Sequence, residues 1–217
     1  MRYFLAGCML ISTTCSVTQA SILFTLGNNP SNNEVNVLLS SGASATTVTG
    51  SPDGLPGITV DFTSTETLLE PSSGQARVAD SPEGSPLTNL TISLANGVTY
   101  GDLIINPFIG GQCPSCTGGS STITVNAVNS LGQAEAPFVF TGLTVDNGNN
   151  FLTIVATGGD SIVSTSISVP GGINDLRQPR ISGPLVSSVP EPATYTLMLL
   201  GFGTALGIRR LRSHVLR

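Results

Sequence analysis

Lysine and tryptophan are absent from this 217-residue chain, and its one histidine, His214, sits close to the C-terminus. These absences remove whole classes of chemistry. Ahead of His214 no Ser-His-Asp or Cys-His relay can form, and no imidazole can hold a metal. Without lysine there is no amine nucleophile, Schiff base or Lys–Asn cross-link. Paired carboxylates of the glycosidase kind need nothing that is missing, but no acidic pair stands out. Between Ser21 and Pro190 the only Tyr is Tyr100, so little aromatic surface could stack on a sugar. The expectation is a chain with no catalytic residue, no metal site, no cofactor and no enzyme activity.

Positive charge is equally scarce. From Ser21 to Pro190 three arginines (Arg77, Arg177, Arg180) stand against twelve acidic residues, a net charge near −9. Such a surface repels nucleic acid and anionic lipid and stays soluble, which excludes a nucleic-acid partner. Arg177 and Arg180 lie near Asp175 and Asp160, and salt bridges that lock the last strand are the favoured reading over a binding role.

Beyond residue 20 only one cysteine pair remains, Cys113 and Cys116, in Gly110-Gly111-Gln112-Cys113-Pro114-Ser115-Cys116. In an oxidising compartment a disulfide is the default. A thioredoxin-type redox pair would open a helix, whereas here glycines flank the pair and a strand pattern follows. A zinc site would need ligands this segment does not have.

What is abundant is Thr, Ser, Gly, Asn and Val in short apolar runs. They fall at Ile22–Leu26, Val35–Leu39, Ile58–Phe62, Leu87–Leu94, Leu103–Ile105, Ile123–Val128, Phe138–Phe140, Phe151–Ala156 and Ile162–Val169. Gly, Asn, Asp, Ser or Pro clusters separate them, and no stretch among them has a helical period. The pattern predicts an all-β domain, an antiparallel β-sandwich of jelly-roll or Greek-key type, over residues 21–183. Gly158-Gly159-Asp160 is expected to turn a hairpin between the last two runs, and Pro170-Gly171-Gly172 to end the second. Asp146-Asn147-Gly148-Asn149 offers oxygen ligands for calcium, but without the acidic spacing of a calcium loop; ordinary turn chemistry is the favoured reading.

The two ends are of another kind. Arg2, the apolar run Tyr3–Ile11 and the small polar residues up to Ala20 form a three-part secretory signal peptide over residues 1–20, cleaved between Ala20 and Ser21. The Sec export machinery is the partner this implies. Leu5-Ala6-Gly7-Cys8 has the letters of a lipoprotein box, but it comes too early and the apolar stretch continues past it.

At the other end, residues 184–192 form a linker that closes on Val189-Pro190-Glu191-Pro192. Residues 193–208 are uncharged, and Arg209, Arg210 and Arg212 follow in a basic tail, residues 209–217. Sixteen helical residues span about 24 Å, short against a hydrocarbon core of about 30 Å. Arginines that snorkel to the interface make up part of the difference. The charge order is that of a transmembrane helix stopped with its C-terminus in the cytoplasm.

Those three parts, in that order, resemble the PEP-CTERM sorting signal of biofilm-forming Gram-negative bacteria. The resemblance covers about the last thirty residues and says nothing of the body. It implies export, anchoring in the inner membrane by the C-terminal helix, and cutting near Pro190-Glu191-Pro192 by an exosortase-type membrane protease. It further implies a final place at the cell surface or in the extracellular matrix, with exopolysaccharide as a partner. The resulting expectation is an exported, non-enzymatic surface or matrix protein. The alternative is a β-sandwich adhesion module that binds calcium or a glycan.

Overall fold

The computed structural model describes residues 21–31, 33–71 and 73–183. The leader with Ala20, the linker with Val189–Pro192, the apolar segment and Arg209, Arg210 and Arg212 all lie outside the described residues. Among the described residues no helix is long and apolar enough to cross a membrane.

The body is all-β. In chain order its strands are β1 (Ser21–Leu26), β2 (Val35–Leu38), β3 (Ser44–Pro52), β4 (Val60–Leu69), β5 (Arg77–Asp80), β6 (Leu87–Leu94) and β7 (Asp102–Ile109). There follow β8 (Gly119–Ser120), β9 (Thr122–Val128), β10 (Phe138–Phe140), β11 (Thr144–Val145), β12 (Gly148–Asn149), β13 (Leu152–Thr157), β14 (Ser161–Ile173) and β15 (Asp175–Ser182). The only helix among the described residues is one 3-10 turn, Ala95–Gly97.

Thirteen strands form one antiparallel sheet in the order β1-β13-β7-β15-β2-β3-β4-β6-β14-β9-β10. β12 adds to β7, and β5 pairs with both β15 and β4. The sheet folds over on itself in the manner of a sandwich or open barrel. β1, β13, β7 and β15 make one layer, and β3, β4, β6, β14, β9 and β10 the other. β2 and β5 join them along one side. On the other side the two ends of the path meet where the Phe24 and Phe140 rings stack at 5.0 Å.

Alternation explains the core. In β9, and in β6 from Leu90 onward, every second side chain points inward, placing Leu90, Ile92, Leu94, Ile123, Val125 and Ala127 in one cluster that Leu87 joins at the start of β6. Phe62, Leu103, Ile105, Leu152 and Ile154 join them from the neighbouring strands. Each such side chain contributes roughly 1.5–3 kcal/mol by leaving water. Tyr100 is fully buried among them, so its ring is core and offers no platform for a sugar. Its O–H lies 2.9 Å from Thr165 Oγ1, and burial raises its pKa despite that hydrogen bond.

The turn at Gly158-Gly159-Asp160 is not a hairpin. β13 pairs with β1 and β7, while β14 pairs with β6 and β9, so the turn carries the chain from one layer to the other. Nor does Pro170-Gly171-Gly172 end its strand. β14 runs on to Ile173, and the β6 register shifts between Ser168 and Ile173. At Asn174 the chain again changes layer. The buried Asn174 fastens that corner, its N–H donating to the Phe108 carbonyl at 2.8 Å and its Oδ1 accepting from Gly110 N at 3.0 Å. Such layer-crossing connections are the Greek-key habit.

Candidate functional site

The salt bridges of the described body gather at one end of the sandwich, where β5, β7 and β15 meet. β5 sets Arg77 opposite Arg177 of β15. Both aim at Asp175, whose side chain is wholly buried. Arg77 Nε donates to Asp175 Oδ2 at 2.6 Å; Arg177 donates through Nε at 2.7 Å and Nη2 at 3.2 Å. Arg77 also meets Glu83 at 2.6 Å. Burial opposes the Arg77 charge, but the Glu83 hydrogen bond and the Asp175 carboxylate outweigh it and raise the pKa. The Arg177 guanidinium lies over the Phe108 ring, 3.4 Å from its centroid.

Of the two arginines read as a lock on the last strand, Arg177 makes its salt bridge with Asp175, whereas Arg180 makes none among the described residues; Arg77 takes the second place on Asp175. Arg180 stands apart and donates through Nη2 to Asn28. The sequence drew no attention to Arg77, which lies 98 residues from Asp175 along the chain.

Two clefts open beside this cluster. One of about 350 Å³ is lined by Glu70, Gln75, Arg77 and Glu83, and a smaller one of about 160 Å³ by Phe108, Gln112, Asn174 and Arg177. Most of their charged groups are engaged within the protein. Glu70 accepts from Ser40 N at 2.8 Å, Ser41 N at 2.6 Å and Ser41 Oγ at 2.5 Å.

Cys113 and Cys116 are joined by a disulfide with Cα atoms 5.4 Å apart, both residues buried. The bond closes a turn between β7 and β8, with Cys116 N donating to Cys113 O at 3.1 Å. A strand follows the pair, as the sequence indicates. Closing so short a loop restrains the unfolded chain by about 2 kcal/mol in the chain-entropy model. Replacing both cysteines by serine is expected to cost about that much while leaving the fold intact. Urea midpoints with and without reductant check it, since reductant should shift only the native chain.

The Asp146–Asn149 loop is organised from within. Asn150 takes the Asp146 N–H on its Oδ1 at 3.0 Å and donates to the carbonyls of Pro107, Asp146 and Gly148 at 2.7–3.1 Å. That is turn chemistry, and Gly148–Asn149 pairs with β7 as a short strand. Among the described residues no three His, Cys, Asp or Glu side chains stand together to hold a metal.

Asp80, at the end of β5, is 7 % exposed and its Oδ1 has no hydrogen-bond partner. Burial raises its pKa, the Ser81 N–H works against that, and Glu66 adds to the rise. The folded carboxyl thus holds its proton more tightly than the unfolded one, whose pKa is about 3.9. Its contribution favours folding in acid and fades as pH rises through the interval above that value. Asp80→Asn, which removes the charge that burial penalises, is expected to stabilise the body at neutral pH. The gain should shrink in thermal melts as pH falls toward the unfolded value.

The model of the PEP-CTERM protein-sorting motif matches residues 188–213. The match takes in Val189, Pro190, Glu191 and Pro192 at one end and Arg209, Arg210 and Arg212 at the other. Comparison with curated proteins and with solved structures finds no match. The chain therefore carries a sorting signal, which implies export, membrane anchoring before processing, and exosortase processing.

Proposed function

We propose that this chain, which carries a PEP-CTERM motif over residues 188–213, is a non-enzymatic surface or matrix protein. The Sec machinery exports it, the C-terminal segment anchors it in the inner membrane, and an exosortase-type protease cuts near Pro190-Glu191-Pro192. The body then takes its place at the cell surface or in the exopolysaccharide matrix. The match to the sorting motif carries this reading. The make-up of the body supports it: there is no lysine or histidine between Ser21 and Pro190, two of its three arginines are held in strand-locking ion pairs on Asp175, and its net negative charge keeps it soluble outside the cell.

An epitope placed after Arg217 tests the reading. In cells that hold the protease, the epitope should separate from the body. Pro190→Ala combined with Glu191→Ala should keep epitope and body together in the membrane fraction. Equal loss of the epitope from both proteins would contradict the proposal.

A further inference from the structure

The described body has two distinguishable ends, and the chain enters and leaves at the same one. Ser21 of β1 is opposite Thr157 of β13, Val155 of β13 is opposite Asp102 of β7, and Asp102 is opposite Ser182 of β15. Gly101 N donates to Ser182 O at 2.9 Å, and Ala156 N to Gly101 O at 2.8 Å, along the same rim. Entry and exit are three strand spacings apart, roughly 14 Å.

The second layer keeps this polarity. Ser161, just past the Gly158-Gly159 turn, is opposite Val128. The next turn carries Leu131, which at 68 % is the most exposed large apolar side chain among the described residues. At the far end Phe108 is opposite Asp175, Arg77 opposite Arg177, and Gly118 opposite Gly171 beside the disulfide. Along β15 this end lies roughly 20 Å from the exit.

We propose that, while the chain is anchored, the body stands with the end carrying Ser21, Gly158-Gly159, Leu131 and Gly183 toward the membrane. The end carrying the Asp175–arginine cluster, the disulfide loop and Asn147 faces outward. The proposal rests on the anchoring described above. Its physical basis is the tether. Residues 184–192 can reach at most about 30 Å, about half as much again as the distance between the two ends, and they are joined to the exit rim alone, so that rim stays the nearer end on average. The acidic body is not drawn to anionic lipid, and no opposing attraction turns the far end down. The rim presents Leu131 to the interface, and the outward end is left free for partners.

The test uses the chain from Ser21 to Arg217 bearing Glu191→Ala, so that Cys8 and Cys15 take no label, reconstituted in vesicles whose lipid headgroups carry a quencher. A fluorophore is placed through Ser130→Cys on the rim or through Asn147→Cys at the far end; both positions are exposed. The label at 130 should be quenched several-fold more than the label at 147. A Gly/Ser insertion after Gly183 should narrow the difference, because a longer tether frees the body to tumble. Equal or reversed quenching in a membrane-bound chain would overturn the orientation alone. A chain that does not associate with vesicles at all would overturn the anchoring and the orientation with it.

Discussion

Asp175→Asn is expected to cost the body about 3–5 kcal/mol, enough to unfold much of it at ambient temperature. The substitution keeps the shape and removes the charge. Arg77 Nε and Arg177 Nε, now 2.6 and 2.7 Å from the two carboxylate oxygens, would face a neutral amide whose one oxygen can still accept from one of them while its NH₂ opposes the other. Asp175 is wholly buried, so water cannot enter to replace the lost charge. The loss is larger than any one hydrogen bond because two guanidinium groups are left partly desolvated. Replacing Asp175, Arg77 and Arg177 together by Leu, Met and Met should recover most of the stability, since no charge then remains buried. The recovery stays incomplete by the stacking of Arg177 on Phe108, about 0.5–1 kcal/mol. Urea denaturation of the single and triple variants separates these terms; a triple variant weaker than Asp175→Asn would contradict the reading.

Gly171→Ala is expected to destabilise by about 3 kcal/mol or more, as severe overpacking does. A Cβ there would lie 2.2 Å from the Gly118 carbonyl oxygen and 2.4 Å from Thr117 Oγ1. The nearest obstacle is backbone, which cannot swing aside as a side-chain tip can. Three backbone hydrogen bonds fix the crossing: Thr117 N to Gly171 O at 2.8 Å, and Gly171 N to Gly118 O and Gly118 N to Gly172 O, both at 3.2 Å. Relieving the clash would break them and loosen the disulfide loop from β14. Gly111→Ala is the control. A methyl there would meet nothing within 4 Å, so the position should tolerate it within about 0.5 kcal/mol. Equal thermal shifts for the two variants would refute the close-crossing argument.

Legibility in the sequence followed the physics of each strand. β6 and β10 are bounded as their apolar runs indicate, and β1 and β9 nearly so, because alternate or continuous apolar side chains mark a buried face. β3 was hidden, since its inner face is only Val48, Gly50 and Pro52 between exposed hydroxyl residues. β15 was hidden in part for the opposite reason: it is buried, yet its sequence DLRQPRIS is charged and polar, and only the partners of Asp175 make that tolerable. The hairpin expected at Gly158-Gly159 failed because a tight turn reports a reversal of direction, not which strand lies alongside. The disulfide pair was legible from spacing and compartment. The ion-pair lock was half legible, since nothing local ties Arg77 to Asp175. The sorting motif was legible throughout, as a signal read by other proteins must be written in contiguous residues.

The most direct measurement is mass spectrometry of both termini of the protein from cells with and without the sorting protease. With the protease, the mature chain should begin at Ser21 and end near Pro190-Glu191-Pro192, with the segment through Arg217 gone. Without it, the chain should still begin at Ser21 but run through to Arg217. Arg217 present in equal measure in both strains would contradict the account.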